Sequence, residues 1–257
     1  MSFNTQLKNF LQQRAQNNYS RLGIPVYVPT DAEIKKFEKT AKNIGIPPEW
    51  FANLVNHESA GTFNPRIQNP SSSATGLIQF MSATAADYGT TTQELREMSF
   101  DKQLDYVAEY LKRVLKWRKA TQADGLAKRS LTQPDFFMLV FYPAAVGNPA
   151  YPFPQYVSNA NSGVRTPADY LSNVYNKSTP PFPEFSNPMM SVQDYINSRR
   201  SFDRPLPMMS TGRAVAVGGI VIALGIFIVI LSASKIKQSR VKTSIPYPRN
   251  TFKVKPA

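Results

Sequence analysis

Residues 214–233 read AVAVGGIVIALGIFIVILSA, twenty positions without a charge. As a helix this segment is about 30 Å long, the thickness of a bilayer core. A core helix of a globular domain rarely stays apolar on every face. Basic residues also bracket this one, so a single membrane span is expected here. Arg213 precedes it, and Lys235, Lys237, Arg240 and Lys242 follow. The tail beyond residue 235 is the more basic flank, which places the C-terminus on the cytoplasmic or interior side and the large N-terminal part on the other.

The charge distribution fits that reading. The 257 residues carry a net +13, yet no acidic residue follows Asp203. Residues 1–212 hold 22 Lys and Arg against 17 Asp and Glu, a net of only +5. The basic tail is therefore expected to serve topology at an anionic lipid surface, with no specific nucleic-acid partner. The absence of cysteine excludes disulfides and thiolate metal sites, and a lone histidine, His57, excludes a multi-histidine centre. With no Gly-rich phosphate loop either, no metal and no cofactor are expected.

The remaining chain divides by composition. Residues 1–29 form an amphipathic N-terminal segment, with Phe3, Leu7, Phe10 and Leu11 as an apolar stripe and Lys8 and Arg14 outside it. This stripe is expected to pack on the protein's own body. The first twenty residues lack the apolar core of a secretory signal. Delivery of the N-terminal part across a membrane is then expected by another vehicle, such as a virion with an internal membrane, or by host insertion machinery. Residues 30–176 hold the helical patterns of a catalytic domain. Thr30 and Glu33 make a capping box that opens a helix running to Ile44. Pro47 starts another, and Leu104, Val107, Ala108, Leu111 and Leu115 share one face of a helix over 101–119. A short buried helix is expected over 133–141 and a last one over 167–175. Residues 177–212 turn to Pro, Ser, Asn and Met, a linker with one short helix near 191–199. Residues 213–234 are the span, and 235–257 the basic tail. The soluble part is expected to be mostly α.

Within the helix after Pro47, Phe51, Leu54, Val55 and Glu58 fall at i, i+3, i+4 and i+7. Glu58 thus continues the apolar stripe. A carboxyl at the edge of a core is partly desolvated, which favours its protonated form and suits it to donate a proton to a leaving oxygen. The next residues sharpen the point: His57-Glu58-Ser59, then Phe63-Asn64-Pro65, then Gly76-Leu77-Ile78-Gln79-Phe80-Met81, then Thr84-Ala85 and Gly89.

This order and spacing resembles the soluble lytic transglycosylase family of the lysozyme superfamily, closely over 47–89 and more weakly through 101–112, which includes Tyr110-Leu111. The resemblance implies a lysozyme-like helical domain in which Glu58 is the sole catalytic acid and base. It implies that Ser59, Gln79, Phe80 and Met81 contribute to the sugar-binding groove. The family's third motif has its best counterpart in Phe141-Tyr142-Pro143-Ala144-Ala145-Val146-Gly147. Tyr142 keeps the hydroxyl that reaches the glutamate in the family, while Pro143 stands where asparagine is usual. This Tyr-Pro-Ala form resembles segments of phage-associated relatives.

The implied substrate is peptidoglycan glycan strands, cut at the MurNAc-β-1,4-GlcNAc bond with 1,6-anhydro ring closure. The implied setting is a virion or host inner membrane, beside other virion proteins, during phage genome entry. Two other readings share the residues. A goose-type lysozyme would hydrolyse the same bond, and a structural virion membrane protein would carry a vestigial enzyme domain.

Overall fold

The computed structural model describes residues 1–21, 23–121, 131–161, 163–176 and 192–200. The expected span at 214–233, most of the linker and the basic tail lie outside the described residues. The described part is mostly helical and fits a lysozyme-like domain. Its one sheet is a two-residue antiparallel pairing of β1 (Ser20–Arg21) with β2 (Ile24–Pro25).

Helix α1 (Phe3–Gln16) starts at the Ser2 cap and buries Leu7, Leu11 and Arg14. It packs on α2 (Asp31–Ile44) and α3 (Pro48–Glu58), so its apolar stripe does face the body. Arg14 corrects the expectation from periodicity. It lies on the buried face, because i, i+4 and i+7 from Leu7 fall on one side of a helix and its guanidinium meets oxygen acceptors at the end of α3.

The capping box of α2 forms as expected: Glu33 N–H donates to the Thr30 hydroxyl and Thr30 N–H to the Glu33 carboxylate. The helix ends at Gly45. Its Phe37 stacks on Phe51 of α3 with ring centres 4.2 Å apart, and Phe63 and Phe100 complete an aromatic centre. Such rings bury large apolar areas and gain further from stacking. α3 is enclosed on nearly all sides, from Phe51 through Asn56 and again at Glu58.

A long loop then leads to α4 (Ser82–Asp87) and α5 (Thr92–Glu97), followed by α6 (Phe100–Thr121), which lies along α2. α6 buries Gln103, Leu104, Val107, Tyr110, Leu111 and Val114, while Ala108 and Leu115 are only partly covered. All nine residues of α7 (Gln133–Phe141) are buried, and this helix packs against both α3 and α6. A 3₁₀ turn (Pro143–Ala145), α8 (Gln155–Ala160) and α9 (Pro167–Asn176) follow.

α10 (Val192–Arg200) packs on α9. Its Tyr195 is fully buried, and the phenol donates to Asp135 Oδ1 at 3.4 Å. The short helix expected inside the Pro-rich stretch is thus docked on the compact body.

Candidate functional site

α3 carries Glu58 to its C-terminal end, where the helix stops against a sharp turn. Glu58 is 1% exposed, and both carboxyl oxygens are screened from solvent. Ser59 closes the helix. Ala60 and Gly61 then take left-handed conformations, with φ of 50° and 81°. Left-handed backbone costs about 1–2 kcal/mol for a residue with a Cβ. Among the described residues the non-glycine positions with positive φ are Asn18, Ala60, Phe63 and Gln79. Three of these lie in the turn and loop that follow Glu58, the kind of place where strained backbone is kept for function.

Ser59 was expected to meet substrate. Here it is fully buried, its hydroxyl donates to the Val55 carbonyl at 2.6 Å, and it accepts from Phe63 N–H at 2.9 Å. The hydroxyl serves the turn, holding the chain as it leaves α3.

The loop from Phe63 to Met81 is compact because its backbone bonds to itself. Gly76 N–H donates to the Ile67 carbonyl at 2.8 Å, and Thr75 and Phe80 exchange bonds at 3.0 and 2.7 Å. The Gln79 side chain is fully buried: its Nε2 donates to the Gly76 carbonyl at 3.1 Å, and its Oε1 has no hydrogen-bond partner among the described residues. An amide acceptor left this way costs free energy in a closed fold, and it suits a donor brought by a ligand. Phe80 is buried and packs edge-on against Tyr110 of α6, ring centres 5.7 Å apart, which makes it part of the core and not of an open groove. Met81 is half-buried, with Ser73 Oγ donating to its Sδ at 3.8 Å.

Two phenols lie in the field of Glu58. Tyr110 is fully buried and donates to the Leu139 carbonyl at 3.0 Å. Burial pushes its pKa far up, and the neighbouring Tyr88 and Glu58 add to the shift. Tyr170 of α9 is likewise raised, first by burial and then by Glu58. Its hydroxyl is buried without a hydrogen-bond partner among the described residues. The ring is fixed by stacking on Phe141 at 4.0 Å and by the edge of His57 at 5.9 Å. Glu58 therefore acts through its charge on phenols of α6 and α9.

Tyr142, the phenol expected at the glutamate, lies at the C-terminal cap of α7. It clusters with Tyr151 and Phe153, ring centres 5.7 and 5.2 Å away. Its pKa is raised by burial and then by Tyr156 and Tyr151, its hydrogen-bonding neighbours. Sequence reasoning passed over Tyr170 as a site residue. Its signal was its place on the inward face of the last helix of the domain, one turn after Pro167.

The other buried acid among the described residues is Asp135. Its Oδ2 accepts from Thr132 N–H and hydroxyl, and its Oδ1 from Gly147 N–H and Tyr195. That carboxylate is committed to capping α7 and docking α10, which leaves Glu58 as the buried acid placed for chemistry.

The fold and the site together define a class: a mostly helical domain organised around one buried acid at a helix end, which fits a lysozyme-like domain. Residues 35–123, which run from α2 through α6 and contain Glu58, the Gly76–Met81 loop and Tyr110, match the family model of the Transglycosylase SLT domain. No curated protein and no solved structure matches the chain.

Proposed function

We propose that this chain is a peptidoglycan lytic transglycosylase with Glu58 as its single acid and base. The observation that carries the reading is the placement of Glu58, buried at the end of α3 inside the segment that matches the transglycosylase domain. Glu58 in its protonated form donates to the β-1,4 oxygen between N-acetylmuramic acid and N-acetylglucosamine, and the glycosidic bond breaks as positive charge develops at the muramic acid. The resulting carboxylate then takes the proton of the C6 hydroxyl of the same sugar. That oxygen bonds to the anomeric carbon, closing a 1,6-anhydro ring, and Glu58 ends protonated as it began. No water is consumed. The commitment of Asp135 to structure supports this route over a two-carboxylate hydrolysis, which needs a second acid beside the bond. Gln79 and Met81 contribute to sugar binding in this reading, with the unpartnered Gln79 Oε1 accepting from an N-acetyl or hydroxyl group of the glycan.

Mass spectrometry of muropeptides released from purified sacculi tests the reaction. The expected products are one water lighter than hydrolysis products and take up no oxygen-18 from labelled solvent. Labelled reducing ends would identify a goose-type lysozyme that uses the same acid.

The finer setting is also proposed. Residues 214–233 anchor the protein in a virion or host inner membrane, and the enzyme opens the wall during phage genome entry. The uncharged stretch and the basic residues after it support this. The full chain is expected to need detergent. A full chain that stays monodisperse in buffer alone would overturn the span.

A further inference from the structure

The N-terminal residues lie outside the segment that matches the family model, yet they reach the turn behind Glu58. Arg14, only 8% exposed, donates through Nη1 to Asn56 Oδ1 at 2.6 Å and to the Gly61 carbonyl at 2.8 Å. Its guanidinium lies against the rings of Phe10 and Tyr19, 4.1 and 4.9 Å from their centres. Asn18, in the left-handed region at φ 51°, turns the chain so that the Tyr19 hydroxyl donates to the Ala60 carbonyl at 3.0 Å. The two residues thus grip one residue before Glu58 and both left-handed residues after it.

The physical need for such a grip is local. The turn's own N–H groups meet the last carbonyls of α3, Gly61 that of Asn56 and Ala60 that of His57, and a cation near that end is favourable. The turn itself is costly, because Ala60 sits at positive φ. Adding one residue to the helix would relieve that cost, but would re-aim the backbone just beyond Glu58. Holding the Ala60 and Gly61 carbonyls from outside opposes that slippage.

We propose that Arg14 and Tyr19 are positioning residues, a clamp from α1 that fixes the Asn56–Gly61 turn and with it the aim of the Glu58 carboxyl. The proposal rests on Glu58 as the proton donor. It makes the N-terminal segment part of the catalytic unit, although residues 1–34 fall outside the family match.

The test uses the full chain in detergent with two conservative variants. Tyr19→Phe keeps the ring and removes the hydroxyl. Arg14→Lys keeps the charge but loses the flat guanidinium that lies against the Phe10 and Tyr19 rings and fixes the direction of the two Nη1 bonds. Two quantities are read: steady-state kinetics on soluble, uncrosslinked peptidoglycan strands, and amide hydrogen exchange across residues 59–63 compared with α6 and α7. Arg14→Lys is expected to lower kcat by about 10- to 100-fold with KM within about twofold, the effect of a misplaced catalytic group. Tyr19→Phe is expected to lower kcat by a smaller factor, and the double variant to lose less than the product of the two because both act on one turn. Exchange should speed up over 59–63 while α6 and α7 keep their protection. Unchanged kcat, a rise in KM alone, or lost activity without faster exchange at the turn would each overturn the clamp. So would exchange that rises equally throughout, which marks a merely structural role. Wild-type protein that cleaves no strands would defeat the proposed function separately. The exchange comparison would then decide the clamp alone, with unchanged protection at 59–63 overturning it.

Discussion

Glu58→Gln is expected to abolish release of muropeptides from purified sacculi while the protein stays folded. The amide matches the carboxyl in shape and fits the same buried position at the end of α3. It can neither give a proton to the leaving oxygen nor take one from the C6 hydroxyl. General acid–base groups contribute about 10²–10⁴-fold to a step, and here one residue serves both halves of the reaction. Buried ionisable groups at active sites often cost stability, so the midpoint of thermal unfolding should stay level or rise. Far-UV circular dichroism and a thermal melt check the fold, and muropeptide release checks the chemistry. More than half the wild-type rate in the glutamine variant would remove Glu58 from the mechanism.

The features legible in the sequence were those set by local spacing. Thr30 and Glu33 announced the start of α2 because a capping box needs only residues three apart. The i, i+3, i+4, i+7 pattern from Phe51 to Glu58 placed the acid on the inward side of its helix, and the apolar run Phe136–Phe141 pointed to a buried α7. Features fixed by contacts distant in sequence were not legible. Arg14 looks like a solvated charge until its partners Asn56 and Gly61, more than forty residues on, are in place. Tyr142 and Tyr170 are equally plausible neighbours of Glu58 in one dimension. The bend at Tyr142, where α7 gives way to the 3₁₀ turn, directs it to Tyr151 and Phe153, whereas α9 brings Tyr170 back to α3. The docked α10 was half legible. Its helical signal stood out from the Pro-rich stretch, but nothing nearby in sequence pointed Tyr195 to Asp135.

Gln103→Leu is expected to be the most destabilising single change in the described fold. The residue is completely buried on α6, and its amide joins three chain segments. Oε1 accepts from Leu77 N–H at 2.6 Å, while Nε2 donates to the Pro65 carbonyl at 3.0 Å and to the Leu95 carbonyl at 2.8 Å. Leucine is similar in size but satisfies none of these groups. Each buried backbone group left without a partner costs about 1–3 kcal/mol; the Leu95 carbonyl still accepts from Met98 N–H, so the Leu77 and Pro65 groups set a loss of roughly 2–6 kcal/mol. For a domain of this size that corresponds to a fall of roughly 5–20 °C in the unfolding midpoint. Activity should fall with it even below the transition, since two of the freed segments, at Pro65 and Leu77, belong to the loop that carries Gln79. Gly76 gives an independent reading of the same contact. Its φ is +78°, and a Cβ built there would meet Gln103 Oε1 at 2.5 Å, so Gly76→Ala must also displace the amide. Thermal melts of Gly76→Ala, Gln103→Ala and the pair close a double-mutant cycle. The double variant should lose clearly less than the sum, because removing the amide removes the clash. Strict additivity, or a Gln103→Leu midpoint within two or three degrees of wild type (under ~1 kcal/mol), would mean that the loop is held by its own backbone bonds and not by α6.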